Sequence, residues 1–227
     1  MKHISHFKRA ERYDAESPQG DYLSHQRGFS RRIAALREAQ LIRKALQIAG
    51  QPREVLDIPC GMGRLWPILA ENPDRRIIGA DDALHMLDAA ERLQPDHIRG
   101  SIRLLHTSAR DVALPAQAVD AVICMRLFHY LGDAQSRMDV LKEFARVSRN
   151  RVILSLWVSS RFMALRRQRT DRFRLARNGA VQPEYQGRYV IPAKVAEAEF
   201  REAGFNKIVA FDYLPFCGLS RIYLLQK

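Results

Sequence analysis

The chain predicts an α/β fold built on a mainly parallel sheet with helices on both faces. Three observations carry this: strand-length apolar runs alternate with helix-length segments from Val55 to Val158, a glycine loop joins the first strand to a helix, and the alternation resumes from Ala193 to Gln226. With 227 residues, 47% apolar and 27% charged, the chain has length for one large domain with a real core. Nothing repeats at a fixed period, and no low-complexity tract occurs.

The first part, through Gly28, is polar and turn-rich around Ser17-Pro18-Gln19-Gly20 and reads as an arm with short helical pieces. A helix is expected from Phe29 to Ala49, with Ile33, Leu36, Leu41, Ile42, Ala45 and Leu46 on one side and Gly50 as its stop. Then come a strand at Val55–Ile58, the glycine loop, a helix through Leu65–Glu71, a strand at Arg76–Ala80 and a helix at Leu84–Arg92. A third strand fits Ile102–Thr107 and a fourth Ala118–Met125; a helix runs from Asp133 to Ser148, and a continuous apolar fifth strand covers Arg151–Val158. From Ser159 to Pro192 no apolar strand of comparable quality occurs, so this stretch reads as an insertion. A helix at Ala193–Ala203, a stop at Gly204, and strands at Lys207–Tyr213 and Arg221–Gln226 close the chain. One domain is expected, with an arm and helix at 1–50, a core at 54–158, the insertion at 159–192 and a terminal helix and strand pair at 193–227.

In Val55-Leu56-Asp57-Ile58-Pro59-Cys60-Gly61-Met62-Gly63-Arg64, two glycines stand between a buried strand and a helix, where backbone amides and a helix N-terminus can face a ligand. A dinucleotide site would need a third glycine for close packing of helix on strand, and that position holds Trp66. Asp57, ending the strand, would repel a pyrophosphate and attract the ammonium of an amino-acid-like ligand. The loop therefore suits the zwitterionic methionyl end of S-adenosylmethionine better than a nicotinamide dinucleotide.

The segment Asp57-Ile58-Pro59-Cys60-Gly61-Met62-Gly63 resembles the first motif, D/E-x-G-x-G-x-G, of the class I S-adenosylmethionine-dependent methyltransferases, with Pro59 in place of the first glycine. The resemblance continues through Ile77-Ile78-Gly79-Ala80-Asp81-Asp82, Leu84-His85-Met86-Leu87, the strand Val119–Met125 with its following loop, Arg146-Val147-Ser148 and Ala203-Gly204-Phe205, and so covers roughly Glu54 to Lys227 outside the insertion. It implies a three-layer Rossmann-like sheet of seven mostly parallel strands with an antiparallel last strand, and S-adenosylmethionine as the cofactor, S-adenosylhomocysteine as the product. Asp57, Pro59, Cys60, Gly61 and Gly63 would form the loop against the cofactor. Asp81, 24 residues after Asp57, would accept the ribose hydroxyls. Asp82 is either a cofactor contact or a helix N-cap. Met86 would cover the adenine, and Ser108, Ala109 or Arg110 would offer it a backbone amide, with Asp111 either in the place of the family's usual acid or at the surface. Arg64 would pair with the methionyl carboxylate or lie on an exposed helix face, and Tyr13 of the arm would close over the site.

Met125, Arg126 and His129 follow the fourth strand and would lie beside the transferable methyl group, while Asp120 at the strand's start is structural. For a hydroxyl acceptor His129 is the candidate general base; the alternative is that it shapes the pocket.

Cys60, Cys124 and Cys217 are widely separated and form no zinc-ligand pattern with the seven histidines, so reduced thiols and no metal are expected. No run of eighteen apolar residues occurs, and Met1–Arg9 is basic without a following apolar stretch; a cytoplasmic protein with no transmembrane segment is expected. The net charge of +12 attracts phosphates, nucleic acid or an anionic membrane surface. Much of it gathers in Arg161, Arg166, Arg167, Arg169, Arg172, Arg174 and Arg177 of the insertion, where Phe162, Leu165, Phe173 and Ala176 form a partial apolar stripe that fits a basic amphipathic helix at a membrane surface, or a solvated helix face. A second basic group is Arg27, Arg31, Arg32, Arg37, Arg43 and Lys44. These features give a methyltransferase acting on an anionic or phosphorylated small molecule, glycan or lipid. The alternatives are an RNA methyltransferase, with Phe173, Tyr185 and Tyr189 stacking on bases, or a binding module for nucleic acid or membrane that keeps the fold without catalysis.

Overall fold

A computed structural model describes residues 29–159, 184–185, 188–213 and 220–227. The arm that includes Tyr13, the insertion arginines from Arg161 to Arg177, and Cys217 lie outside the described residues.

Helix α1 (Phe29–Ile48) ends where the sequence stops it: Gly50 turns to φ 73° and Gln51 donates its N–H back to the Leu46 carbonyl at 2.9 Å. The core elements follow as β1 (Glu54–Asp57), α2 (Trp66–Leu69), β2 (Arg76–Asp81), α3 (Leu84–Leu93), α4 (Asp96–Arg99), β3 (Ile102–His106), β4 (Val119–Cys124), α5 (Ala134–Val147) and β5 (Ser148–Ser159). Short strands β6 (Glu184–Tyr185) and β7 (Arg188–Tyr189) pair with each other, β8 (Ile191–Pro192) pairs with the end of β5, and α6 (Ala193–Glu202), β9 (Lys207–Asp212) and β10 (Ser220–Gln226) complete the fold.

The main sheet has the order β3-β2-β1-β4-β5-β10-β9. Neighbours from β3 through β5 are parallel, and β10 runs antiparallel to both β5 and β9. This is the expected seven-stranded arrangement with an antiparallel last strand. Strand side chains alternate between two cores, as a doubly covered sheet requires. Val55, Ile123, Ile153 and Leu224 pack with Leu41, Ile42, Ala45, Trp66 and Leu87 on the face covered by α1, α2 and α3. Leu56, Val122, Leu154 and Tyr223 pack with Leu141, Phe144, Ala196 and Phe200 under α5 and α6. On that second face Arg137 meets Glu199 in a buried double contact at 2.8 and 2.5 Å and also donates to the Leu131 and Gly132 carbonyls, binding α5 to α6 and to the loop after β4.

Three expectations are corrected. Ile33 and Leu36 stand exposed, because α1 packs on the sheet only from Glu38 onward; its first turns run past the core they share a stripe with. The helix expected at Leu65–Glu71 is one turn, Trp66–Leu69, since residues 61–65 are consumed by the loop's turns. Asp82 is not a helix N-cap: Ala83 holds that position without any side-chain cap.

Candidate cofactor and active site

Strand order reverses between β1 and its neighbours β2 and β4, which is where a sheet of this kind takes a ligand, beyond the carboxyl end of β1. The glycine loop turns there. It leaves β1 through a cis Ile58–Pro59 peptide, and the Cys60 N–H donates to the Ala80 carbonyl of β2 at 2.8 Å. Gly61 and Gly63 adopt φ 54° and 71°, in the left-handed region where a Cβ is penalised. At Gly63 the constraint is doubled, because an added Cβ would lie 2.5 Å from the Trp66 ring. Gly79 on β2 is likewise closed by that ring, at 2.5 Å. The fully buried Trp66 therefore fills the space between loop and β2 and requires a glycine on each side.

Asp57 ends β1 with 0% exposure, and no described residue donates to either carboxylate oxygen within hydrogen-bond geometry; the Trp66 indole N–H acts on it from beyond that range. Burial pushes its carboxyl up to about 7; the charge of Asp81 adds to the rise, while Arg64 and the Trp66 indole oppose it. Asp81, at the end of β2, accepts the Gly61 N–H at 2.8 Å and the Ala83 N–H at 3.1 Å. Burial raises its carboxyl to about 6, against those two N–H groups and with the help of neighbouring Asp82. A carboxylate has about four lone-pair sites, so Asp81 retains acceptor capacity for a diol. Cys60 and Cys124 are buried, and burial beside Asp57 raises both thiols, which makes them inert packing.

The residues expected around the adenine lie at the ends of β2 and β3. Asp82 is exposed, with its carbonyl 3.0 Å from His106 Nε2, and Met86 is half-buried on the first turn of α3. The loop after β3 is stapled by Thr107, whose Oγ1 donates to the Asp111 carbonyl and accepts the Ala113 N–H, each at 2.9 Å. Ala109 is buried within it, Ser108 is half-buried, and Arg110 reaches away to Ser136 Oγ at 2.8 Å on α5. Asp111 lies at the surface.

At the end of β4, Met125 is buried and Arg126 takes φ 66° while donating its N–H to Ser155 Oγ at 2.9 Å. His129 follows on a 3-10 turn (Phe128–Tyr130), buried between rings, with Tyr130 at 4.4 Å and Trp157 at 5.6 Å between centroids. Nearby Gly132 is closed by Tyr189, whose ring would stand 2.4 Å from a Cβ there. Asp120 accepts the N–H groups of Arg53 and Glu54 at 3.0 and 2.9 Å at the opposite end of the sheet, the structural role expected of it.

Arg64 is not on a bare helix face: Nη1 contacts Glu38 Oε2 at 2.5 Å. Arg126 Nη2 reaches the same oxygen at 3.1 Å, and Tyr213 Oη donates to Glu38 Oε1 at 2.6 Å. Sequence reading missed Glu38, Ser155 and Tyr213. The one acid on a strongly basic helix was the available signal, but nothing local paired it with residues 26 to 175 positions away.

Two clefts lie elsewhere and are not this site. One of about 300 Å³ is lined by Trp66, Glu91, Arg99, Ile102 and Leu104, and one of about 470 Å³ runs along the amino ends of β1, β2 and β3.

Residues 55–151 match the family model for the methyltransferase domain. Over that stretch the chain carries a methyltransferase domain. No curated protein sequence matches the chain, but solved structures do. The chain is similar to the magnesium protoporphyrin IX methyltransferase of Synechocystis, solved with S-adenosylhomocysteine bound, at 16% identity and TM-score 0.64 over 97% of this chain and 94% of that one. A Thermotoga maritima S-adenosylmethionine-dependent methyltransferase, described as a possible histamine N-methyltransferase, matches at 16% identity and TM-score 0.61 over 98% of each chain. A Nostoc punctiforme protein provisionally named an O-methyltransferase matches at 20% identity and TM-score 0.65, over 92% of this chain but 61% of that longer one. At these identities the likeness speaks for the fold. S-adenosylmethionine is the cofactor of the class I methyltransferases, and the carboxyl end of β1 fits it: a buried carboxylate without a donor, a loop that comes close only through glycine, and a second carboxylate one strand over. Among the described residues, no helix is long and apolar enough to cross a membrane.

Proposed function

We propose that the protein transfers the methyl group of S-adenosylmethionine to an anionic or phosphorylated small molecule, glycan or lipid. The observation that carries the cofactor half is Asp57, a carboxylate buried without a donor at the switch point of the sheet. An unpaired buried charge is costly, and a ligand ammonium would repay it. The acceptor half is supported by the net charge of +12 and by seven arginines between 161 and 177 with a single acid, Asp171, among them.

When bound, the cofactor supplies an electrophilic methyl carbon on a cationic sulfur, and an acceptor lone pair displaces a neutral thioether in line. Positioning and exclusion of water can supply much of the acceleration of such a step. Asp57 would fix the ammonium, Asp81 the ribose hydroxyls, and Met86 the adenine face. Buried Met125, Leu127 and Phe128 keep water from the reactive edge. His129 would take the acceptor's proton on a ring nitrogen if the acceptor is a hydroxyl, and would otherwise wall the pocket.

Incubation with methyl-labelled S-adenosylmethionine and fractionated cell extract tests this reading. Label is expected in the small-molecule, glycan or lipid fraction; label in the RNA fraction would replace the acceptor class, and no label with no stabilisation by S-adenosylhomocysteine would remove the enzyme reading.

A further inference from the structure

Glu38 is the one acid in a strongly basic helix, and it is 3% exposed. Its two oxygens gather three donors from three separate elements. Arg64, next to Gly63, and Arg126, two residues past β4, share Oε2, and Tyr213, just past β9, holds Oε1. Burial pushes the Glu38 carboxyl up, but the two guanidinium groups outweigh it and hold the group below its usual range, so it stays ionised. Arg37 adds a second tie from α1, donating Nε to the Tyr213 carbonyl at 3.1 Å.

The two arginines are not used up. Their side chains are 32% and 44% exposed, and among the described residues each spends one terminal nitrogen on Glu38. A guanidinium carries five N–H donors, which leaves several on each for a ligand. Arg64 is also near enough to Asp57 to lower its carboxyl. Asp57 ends β1 and Arg64 follows the glycine loop that leaves it, so opposite charges stand at the same end of that strand, as an ammonium and a carboxylate on one carbon would need.

We propose that Glu38 is a positioning residue, which holds Arg64 and Arg126 together so that they grip the carboxylate of the cofactor's methionyl end. One buried negative charge between two guanidinium groups lowers their mutual repulsion and leaves a net single positive charge, matched to one carboxylate. The left-handed backbone of Arg126, pinned by Ser155, directs its side chain into this bridge. Glu38 acts through the arginines and touches no reacting atom. The inference rests on the cofactor assignment above.

The test compares S-adenosylhomocysteine with its decarboxylated analogue, which keeps the amine and lacks the carboxylate, by calorimetric titration of the full chain. The parent is expected to prefer the carboxylate-bearing ligand by tenfold or more, the scale of a charge-assisted hydrogen bond. In Glu38→Gln that preference should collapse to about threefold or less, with affinity for the decarboxylated analogue unchanged. A merely electrostatic view gives the opposite sign, because removing the negative charge would strengthen carboxylate binding. A preference that is kept or increased in Glu38→Gln overturns the proposal. Should that variant fail to fold, Tyr213→Phe removes only the donor to Oε1 and should reduce the preference two- to threefold; an unchanged ratio there overturns it as well. If the parent binds neither ligand, the cofactor assignment itself has failed, a result distinct from the loss of this one contact.

Discussion

Replacing Asp57 by asparagine should stabilise the ligand-free protein at alkaline pH while weakening its hold on S-adenosylhomocysteine. Burial raises the Asp57 carboxyl from 3.8 to about 7, and at 1.36 kcal/mol per pH unit, ionising it in the folded protein costs on the order of 4 kcal/mol. Because the folded state binds this proton more tightly than the unfolded one, the contribution of Asp57 to stability is fully present below pH ~4 and is lost as pH rises through about 7. Asparagine keeps the shape and does not titrate. In urea titrations followed by tryptophan fluorescence, the variant should match the parent near pH ~3.5 and exceed it by ~2–4 kcal/mol at pH 8. Saturating ligand should reverse the order at pH 8, since only the parent offers a carboxylate to the ammonium. The same logic predicts that the parent's affinity for the ligand rises between pH 6 and 8 and that the variant's does not. An Asp57→Asn protein that is less stable than the parent at pH 8 without ligand, or that binds S-adenosylhomocysteine equally well, refutes the reasoning.

Other consequences are smaller or more local. Gly79→Ala drives a Cβ to 2.5 Å from the Trp66 ring and should cost about 1–3 kcal/mol of stability; pairing it with Trp66→Leu should recover part of that loss in the same urea titration. Arg137→Leu alone strands the buried Glu199 carboxylate and should cost about 3–5 kcal/mol, whereas the double change Arg137→Leu with Glu199→Leu should cost clearly less, as read in a double-mutant cycle. Asp133→Ala removes the oxygen that accepts the Ser136 N–H at 2.7 Å at the start of α5 and should lower the melting midpoint by the equivalent of about 1 kcal/mol without altering ligand affinity. Asp81→Asn should reduce affinity for S-adenosylhomocysteine at least tenfold, through loss of the charged acceptor for the ribose, and calorimetry reads it directly.

Much of the fold could be read from local pattern because its elements are set by local physics. The helix stop at Gly50, the N-cap at Asp133 and the apolar run of β5 each depend on neighbours within a few residues, and each stands within two or three positions of where the sequence places it. The loop carried the cofactor class for the same reason, since Asp57, Gly61, Gly63 and Trp66 lie within ten consecutive positions. Ile33 and Leu36 misled because periodicity marks the side of a helix that could be buried and says nothing about where the sheet beneath it ends.

What the sequence determined by itself is the opening between β1 and the glycine loop and the kind of ligand that suits it, since a strand-end carboxylate and two left-handed glycines are properties of one short stretch of chain. Tertiary structure alone decided how that opening is armed. Trp66 is tolerated because Gly79 comes from the neighbouring strand to make room, Asp57 is without a donor because the sheet buries it, and Arg64 and Arg126 are joined through Glu38 and Tyr213 from opposite ends of the chain. Such contacts exist only once the sheet has closed strand upon strand, for a buried charge and its partners are chosen by proximity in space and not by spacing along the chain.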